Sequence, residues 1–347
     1  MTEYVLTLSC ADRPGIVAAV SGLLARRGGN IVESQQYGDR VTGRFFMRVQ
    51  FTVPEPAEAD KASGASTSRG TGEAARAAEA SEVSGASRAF VASSAAGADG
   101  VPGVHGASEA ARTAGVVPGV SGGPGSLRGE LGALAADLGL DWELWDTTVR
   151  PRALILVSRA GHCLNDLLHR QSSGQLDIDI PAVVSNHPDL RPLTQSHGID
   201  YHHLPVTPET RAWQEAEILT LVGHYRIDFV VLARYMQVLS DDWCVKLAGR
   251  VINIHHSFLP SFKGSRPYHQ AHARGVKLIG ATAHYVTGDL DEGPIIEQEV
   301  ARVDHTHGPA ELMATGRDAE CLALARAVRW HAAHRVLLNG DKTVVFR

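Results

Sequence analysis

The sequence predicts two successive folds that mix helices and strands: a small βαββαβ domain, then a larger α/β domain with a largely parallel sheet. Two patterns lead to this prediction. Strand-like and helix-like segments follow that six-element order before residue 150, and short apolar strands alternate with amphipathic helices after it. A third observation is a long stretch poor in core-forming side chains, which interrupts the first domain.

The first domain begins with Tyr4–Cys10, where apolar and polar residues alternate as in a strand. A turn follows, in which Asp12 is expected to cap a helix with Pro14 in its first turn and apolar residues at helical spacing. Glycines 28 and 29 end this helix. The remaining elements are predicted as strands at 31–37 and 44–53, a helix at 127–138 and a strand at 141–149. This order is that of a ferredoxin-like fold.

The interrupting segment covers residues 54–125 and separates the third strand from the second helix. It holds 19 Ala, 13 Gly, 10 Ser and 5 Pro, with no Leu, Ile, Met, Trp or Tyr. Such a composition buries too little apolar surface to offset an ordering cost of about 1–2 kcal/mol per residue. We therefore expect a disordered insert at 54–125 within a discontinuous first domain formed by 3–53 and 126–149.

The second domain is predicted at 151–347, and its strands alternate with helices. Strands are predicted at 153–157, 181–184, 201–204, 229–233 and 251–255, and helices at 162–170, 213–225 and 242–248. This alternation predicts a largely parallel, Rossmann-like sheet. Because ligands of such sheets bind at the carboxyl ends of the strands, functional residues are expected there.

Composition excludes several classes of protein. The net charge of −5 argues against a protein dominated by phosphate contacts, so no nucleic-acid partner is expected. No run of about 18 apolar residues predicts a membrane span, and the first residues do not resemble a signal peptide, so a cytoplasmic protein is expected. The four scattered cysteines show no CxxC spacing, which argues against a zinc site or a disulfide framework.

The strongest group of chemical residues begins at the fifth strand of the second domain. Asn253 and His255 are two residues apart, so in a strand they point to the same face. An amide and an imidazole at a strand end can together stabilise a developing oxyanion. A second segment, His284–Ile296, runs from a strand into a turn with three carboxylates, one of which could complete an acid–base pair.

These segments resemble the folate-dependent formyltransferase superfamily. The resemblance rests on Asn253-Ile254-His255 and on the loop Leu290-Asp291-x-Gly293-Pro294, and it implies that Asn253, His255 and Asp291 are catalytic. His256 stands where transferases usually have proline. Together with Gly161–Leu168, Pro267–Ala271 and the first domain, it is similar to the hydrolytic branch, which converts 10-formyltetrahydrofolate to formate and tetrahydrofolate and so supplies formate for purine synthesis.

The resemblance also implies a substrate site and a mechanism without a cofactor or metal. Water would attack the formyl carbon, Asn253 and His255 would stabilise the oxyanion, and Asp291 would position the water and move its proton. The folate would bind after the fourth strand and beside the two catalytic segments. The implied contacts are Tyr235, Met236, Val238, Leu239, His256, Lys263, His284 and Val286.

The first domain resembles an ACT domain, a module that senses amino acids, on the stretch Asp12–Ile31. The resemblance implies an effector such as glycine or methionine, bound between paired domains of a homo-oligomer. The implied effector contacts are Asp12, Arg13, Gly15 and Asn30. The alternative is that Asp12 only caps a helix and that the domain serves oligomerisation alone.

Three other functions remain open at this point. A formyltransferase would pass the formyl group to an amine. A metallohydrolase could use His255 and His256, His202 and His203, or Asp304–His307, although none has the spacing of a known zinc motif. A non-catalytic sensor would retain the fold alone. A thiol nucleophile at Cys163 is disfavoured, because its neighbour His162 would diverge from it by about 100° on a helix.

Overall fold

The computed structural model of the chain describes residues 1–54, 126–259 and 267–347. Its N-terminal elements are β1 (Thr2–Ala11), α1 (Ile16–Arg26), β2 (Asn30–Asp39), β3 (Arg44–Val53), α2 (Leu127–Leu138) and β4 (Asp141–Asp146). The next are β5 (Arg152–Val157), α3 (His162–Ser172), β6 (Asp179–Ser185), α4 (Arg191–Ser196), β7 (Asp200–His203), α5 (Arg211–His224) and β8 (Phe229–Leu232). The last are α6 (Asp241–Lys246), β9 (Val251–His255), α7 (Pro267–Ala273), β10 (Leu278–Tyr285), β11 (Ile295–Arg302), α8 (Pro309–Ala332), β12 (Val336–Asn339) and β13 (Lys342–Val345).

The N-terminal elements form a four-stranded antiparallel sheet in the order β2-β3-β1-β4. Alternate residues of β1, such as Leu6 and Leu8, share one apolar cluster with Val20 and Leu24 of α1 and with Leu131 of α2. Both helices therefore pack on the same face of the sheet. The predicted βαββαβ order is confirmed. The predicted insert falls, except for Pro54, outside the described residues, so its disorder stays a prediction.

Two local predictions in this domain are wrong. Asp12 does not cap α1: the N-cap residue is Gly15, which adopts a left-handed φ of 95° and makes no side-chain cap. Glycine is suited to this conformation because it has no Cβ. β4 ends at Asp146 instead of continuing to Val149, because Asp146 Oδ1 accepts hydrogen bonds from Thr148 N at 2.9 Å and Thr148 Oγ1 at 2.7 Å. These bonds form a turn that competes with the strand.

The second sheet has seven strands in the order β11-β10-β9-β8-β5-β6-β7. The five strands from β9 to β7 are mutually parallel. At one edge, β10 pairs antiparallel with β9, and β11 pairs antiparallel with β10. Alternate residues of β5 enter apolar clusters on opposite faces, Ile155 in one and Leu156 in the other. Burial on both faces explains why this strand is a continuous apolar run. The prediction of a largely parallel α/β sheet is confirmed.

The 24-residue helix α8 was not predicted from the sequence, and it packs across β9, β10 and β11 and against α3. Its buried face is made largely of small residues, among them Ala319, Ala323 and Ala327, so its apolar stripe is weak in the sequence. The short helices α4 and α7 and the hairpin β12–β13 were also not predicted. Within the three described ranges, no helix is both long and apolar enough to cross a membrane.

The N-terminal sheet is attached to the C-terminal end of α8 and to the hairpin β12–β13 by polar contacts. Arg48 is 2% exposed and donates to Glu33 Oε2 at 2.7 Å and to the Ala333 carbonyl at 3.1 and 3.2 Å. Arg335 donates to the same Glu33 carboxylate at 2.8 Å. The ring of Trp145 stacks on His334 with a centroid separation of 4.1 Å. The buried Arg48 guanidinium is bonded both to Glu33 of its own sheet and to the Ala333 carbonyl after α8. Because a buried charge that loses a partner is destabilising, this contact couples the stability of the two sheets.

We expect the free energy of unfolding to fall by a few kcal/mol between pH 7 and pH 4.5. Burial, and then the charge of Arg250, lowers the pKa of His331 to about 4. Burial, and then the neighbouring His331 and Arg48, lowers the pKa of His334 to about 3. Each shift is worth about 1.4 kcal/mol per pKa unit, and the unfolded histidine titrates near pH 6.5. The unfolded state therefore binds protons first on acidification, and stability is lost from about pH 6.5 down to the folded-state pKa values of about 4 and about 3.

Urea denaturation at pH 7, 5.5 and 4.5 measures this loss. The variant His334→Phe keeps a ring against Trp145 but removes one titrating group, so its stability should depend less steeply on pH. Equal unfolding free energies of the parent protein at pH 7 and pH 5 would contradict the prediction.

Candidate active site

The candidate catalytic residues come from two neighbouring strands and one loop. Asn253 and His255 lie at the carboxyl end of β9, and Asp291 lies in the loop between β10 and β11. β10 runs antiparallel to β9, and its register places His284 opposite Asn253. Paired residues of adjacent strands project from the same face of a sheet. Strand pairing therefore brings three of these side chains together, and the loop adds the fourth.

The distances show that these four side chains form one cluster. His255 Nδ1 lies 3.2 Å from Asp291 Oδ2, and Asn253 Nδ2 lies 3.1 Å from His284 Nε2. His284 Nε2 lies 3.8 Å from Asp291 Oδ1. The structure thus brings together Asn253, His255 and Asp291, the residues predicted to be catalytic, and adds His284 as the link between the amide and the carboxylate.

The hydrogen bonds of His284 determine how the Asn253 amide is oriented. His284 Nδ1 lies 2.8 Å from the carbonyl oxygen of Tyr285 and must donate to it, because a carbonyl oxygen only accepts. Burial lowers the pKa of His284, so its ring is neutral and its Nε2 accepts from Asn253 Nδ2. One amide hydrogen of Asn253 is thereby fixed, and the other remains for a ligand. His284 was predicted to bind substrate, whereas its 2% exposure and its partners identify it as a positioning residue.

The Asp291 carboxylate sets the tautomer of His255. Its hydrogen bond with His255 lowers the pKa of Asp291, so the carboxylate is ionised and accepts the proton of His255 Nδ1. His255 Nε2 is buried and has no hydrogen-bond partner among the described residues. A buried polar atom of this kind requires a partner, and a ligand bound at this position would supply one. The imidazole is therefore held at one nitrogen and open at the other.

The loop that carries Asp291 is tightly constrained. Asp291 adopts a left-handed φ of 59°, which is uncommon for residues other than glycine. Two residues later, a Cβ at Gly293 would lie 1.8 Å from the carbonyl oxygen of Tyr285. Tyr285 N also donates to the Pro294 carbonyl at 2.9 Å, which ties the end of the loop to β10. The close approach at Gly293 and the hydrogen bond at Pro294 fix the position of the Asp291 carboxylate.

The predicted folate contacts have different environments. Met236 and Val238 are 60% and 56% exposed and are available to an apolar ligand. Tyr235 is buried, and its hydroxyl accepts a hydrogen bond from Gln214 at 2.6 Å. Leu239 and Val286 are partly buried against the core beneath that loop. Lys263 lies outside the described residues.

His256 lies directly beside the imidazole of His255. The ring centroids of His255 and His256 are 5.0 Å apart. Burial, and then the positive charge of Arg234, lowers the pKa of His256 to about 4. A neutral imidazole therefore borders His255 at physiological pH, where it adds a hydrogen-bonding group without adding a charge.

The structure argues against a thiol nucleophile at Cys163. Its side chain is fully buried in α3. A hydrogen bond with Cys321, followed by burial, raises the pKa of the Cys163 thiol far above its usual range. The nucleophile of a cysteine enzyme is the thiolate, which this environment disfavours.

Among the residues that the structure describes, the group that could hold a metal is His162, Cys163 and Glu320, whose ligand atoms lie within 4.8 Å of one another. His162 Nε2 already lies 2.7 Å from Glu320 Oε2, and the guanidinium of Arg234 lies 3.4 Å from the same oxygen. A cation is thus present where a metal would bind. Of the histidines proposed for a metallohydrolase, His202 Nε2 lies 3.1 Å from the Tyr225 hydroxyl, and His307 Nδ1 lies 2.9 Å from Asp304 Oδ1.

Sequence reasoning missed a second buried cluster, which joins Arg234, Glu320, His162 and Tyr268. Three of its members lay in stretches that the resemblance had singled out. Glu320 gave no signal, because it lies on α8, the helix that the sequence did not reveal.

The predicted effector residues do not form one site within a single chain. Asp12, Arg13 and Gly15 lie in the β1–α1 loop, at the end of the sheet where Ala11 pairs with Arg44. Asn30 begins β2 and pairs with Thr52, at the opposite end of β3. β3 is 10 residues long, and at about 3.3 Å per residue its two ends are far apart.

Comparison with known proteins agrees with this architecture. Residues 151–328 match the family described as Formyl transferase, and residues 4–62 match the ACT domain. A formyltetrahydrofolate deformylase of Corynebacterium sp. (strain P-1) is 43% identical over 345 residues, which cover 99% of this chain and 98% of that relative. One from Bacillus subtilis (strain 168) is 37% identical over 342 residues, or 98% of this chain and 93% of that relative.

Solved structures give the same result. A formyltetrahydrofolate deformylase from Burkholderia mallei ATCC 23344 superposes with a TM-score of 0.78 at 42% identity and covers 100% of both chains. Glycinamide ribonucleotide transformylase 1 from Symbiobacterium toebii superposes with a TM-score of 0.54 at 28% identity, over 57% of this chain and 95% of that one. The full-length likeness thus includes the N-terminal domain, whereas the likeness to the transformylase covers little more than half of the chain.

Proposed function

We infer that this chain, which belongs to the formyltetrahydrofolate deformylase family, hydrolyses 10-formyltetrahydrofolate to formate and tetrahydrofolate. One observation in the structure carries this proposal. His255 is held through Nδ1 by the ionised Asp291, while its buried Nε2 has no partner among the described residues. This arrangement offers a hydrogen-bonding atom to a substrate oxygen and a carboxylate to a water molecule within one cluster.

The proposed mechanism uses Asn253, His255 and Asp291. Water attacks the formyl carbon, and the free amide hydrogen of Asn253 together with protonated His255 stabilises the oxyanion. Asp291 accepts the proton of the attacking water and holds the His255 ring in place through Nδ1. The bond between the formyl carbon and N10 then breaks, and N10 receives the proton. Formate and tetrahydrofolate are the products.

The proposed folate site extends from the catalytic cluster along the loop after β8. Met236 and Val238 offer exposed apolar surface there, and the partly buried Leu239 and Val286 form its floor. Small-molecule sites commonly combine an apolar slot with a few polar groups. In this proposal His256 and Lys263 are the polar neighbours, while Tyr235 supports the loop from behind through its bond with Gln214.

The proposed reaction needs neither a cofactor nor a metal. Incubation with 10-formyltetrahydrofolate in buffer that contains a chelator and no amine tests this, with formate and tetrahydrofolate measured separately. We expect the two products in equal amounts, at the rate seen without chelator. A rate that falls with chelator and returns with a divalent metal would contradict the metal-free mechanism.

The second candidate is a formyltransferase. It is supported by the likeness to a glycinamide ribonucleotide transformylase, which covers 57% of this chain. The same assay separates the two functions. A transferase requires an amine before tetrahydrofolate appears, whereas a hydrolase releases both products in its absence.

We further propose that the ACT domain binds an amino-acid effector, glycine or methionine, and that the chain forms a homo-oligomer in the cytoplasm. The separation of Asn30 from Asp12, Arg13 and Gly15 within one chain supports a site shared between two ACT domains. Loss of effector binding in a monomeric variant would support the shared site, and retention would contradict it.

A further inference from the structure

The topology of the larger sheet indicates where a second substrate would bind. The chain passes from β5 outward to β6 and β7, and then returns to the other side of β5 as β8 and β9. The order of strands therefore reverses between β5 and β8. In open α/β sheets, the crevice outside the carboxyl ends of the strands at such a reversal is the usual ligand site.

In this protein the chain's own residues close that crevice. The loop after β5 and the loop after β8 are joined by two hydrogen bonds: Ser158 N donates to the Arg234 carbonyl at 3.2 Å, and Met236 N donates to Ser158 Oγ at 3.0 Å. Ser158 is buried. The two loops that would border a ligand are thus bonded to each other.

Four side chains fill the space around these loops. Glu320 of α8 is 1% exposed and accepts from His162 Nε2 at 2.7 Å and from the Tyr268 hydroxyl at 2.8 Å. Arg234 Nε lies 3.4 Å from the same carboxylate. Burial raises the pKa of Glu320, but the bonds from His162 and Tyr268 and the charge of Arg234 hold it below its usual value. A buried, ionised carboxylate thus accepts hydrogen bonds from two side chains and lies beside a guanidinium.

The backbone is adapted to this cluster at two positions. Arg234 has a left-handed φ of 64°, a conformation that costs residues other than glycine about 1 kcal/mol or more. The ion pair of the Arg234 side chain with Glu320 offsets this backbone cost. On α8, a Cβ at Gly316 would lie 2.1 Å from the Tyr268 hydroxyl, so only glycine allows Tyr268 to reach Glu320.

The cluster adjoins the catalytic site through His256. The charges that act on the pKa of His256 include Arg234 and Glu320 of the buried cluster as well as Asp291 and His255 of the candidate active site. The rings of His256 and His255 are tilted relative to each other, with centroids 5.0 Å apart. A molecule that approached the formyl carbon from the crevice would therefore meet Arg234 and its partners.

We propose that Arg234, Glu320, His162 and Tyr268 form an acceptor plug, which fills the space that an amine would need beside the formyl carbon and leaves water as the only acceptor. This inference rests on the proposed hydrolysis. In hydrolysis, water oxygen bonds to the formyl carbon and the carbon–N10 bond breaks. In transfer, an amine nitrogen would bond to the same carbon, and N10 would take the proton that the amine loses.

The test measures how the formyl group divides between water and an amine. Wild-type enzyme and the variants Arg234→Gly and Glu320→Gln are incubated with 10-formyltetrahydrofolate and glycinamide, and formate and N-formylglycinamide are quantified together. Glycine accepts the positive φ at position 234, so R234G should fold, as circular dichroism and the thermal unfolding midpoint can verify. We expect the wild type to yield formate alone. The ratio of N-formylglycinamide to formate should rise at least 10-fold above the wild-type background in R234G and to a lesser extent in E320Q.

Two control variants separate opening of the crevice from general loosening. Tyr268→Phe loses one hydrogen bond but keeps the ring that occupies the space. Asp228→Asn perturbs a partly buried carboxyl that accepts from Arg152 N at the amino ends of the strands, away from the crevice. Both should give formate alone.

Formate as the sole product of folded R234G and folded E320Q would overturn the acceptor plug and leave the proposed hydrolysis intact. Transfer to glycinamide by D228N at the level of R234G would also overturn it. A wild-type enzyme that needs glycinamide for turnover would instead contradict the proposed hydrolysis itself.

Discussion

Turnover of 10-formyltetrahydrofolate should fall by about 1000-fold or more when Asp291 becomes asparagine or His255 becomes alanine. Asparagine at 291 cannot accept a proton from water, and it removes the carboxylate that holds His255 through Nδ1. Alanine at 255 removes the atom that faces the substrate oxygen. Asn253→Ala removes one oxyanion donor, so a smaller loss of about 100- to 1000-fold is expected.

These losses are measured as kcat from formate release, with thermal unfolding to verify that each variant is folded. Asp289→Asn is the matched control, because Asp289 lies in the same loop and is exposed. We expect D289N to keep kcat within about two-fold of the parent value, since exposed positions away from the reacting atoms contribute little. A folded D291N or H255A with near-normal kcat would refute the mechanism.

Replacing Gly293 with alanine should lower kcat by at least about 100-fold through the backbone alone. The added Cβ would lie 1.8 Å from the Tyr285 carbonyl oxygen, and this contact is with backbone, which cannot rotate away. The loop must then shift, and Asp291 moves with it relative to His255. A displacement of about 1 Å at a reacting group can cost a factor of 100.

Gly288→Ala serves as the control for this variant. A Cβ at Gly288 would meet its nearest atom, Asp241 Oδ1, at 3.4 Å, which is an ordinary contact. We expect G288A to retain kcat, so the comparison isolates the steric clash from the general effect of removing a loop glycine. Similar kcat values for G293A and G288A would show that the loop can adapt to the clash.

The sequence predicted those parts of the site that depend on local geometry. The two-residue spacing of Asn253 and His255 in a strand required a common face, and the structure has them there. Asp291 was assigned by resemblance, because no spacing rule shows that a loop 36 residues beyond His255 returns to it. The antiparallel pairing of β10 with β9 causes that return, and the register that places His284 opposite Asn253 is a property of the folded sheet.

Other features were beyond prediction for identifiable reasons. Four of the ten buried residues of α8 are alanine and one is glycine, which gives little hydrophobic contrast, so neither the helix nor Glu320 stood out. The cap of α1 depends on a positive φ at Gly15, and a sequence with an aspartate nearby suggested a side-chain cap instead. Similarly, the early end of β4 depends on side-chain bonds of Asp146 that compete with the strand.

The attachment of the N-terminal sheet to the end of α8 constrains the order in which the protein can be assembled during translation. Glu33 and Arg48 meet partners at Arg335 and Ala333, which are 302 and 285 residues further along the chain. The N-terminal domain leaves the ribosome first and can fold first. Its Arg48 guanidinium nevertheless stays hydrated until the end of α8 has been synthesised and has docked. Closure of this interface is therefore a late step, and chains truncated before residue 333 would leave that face uncovered.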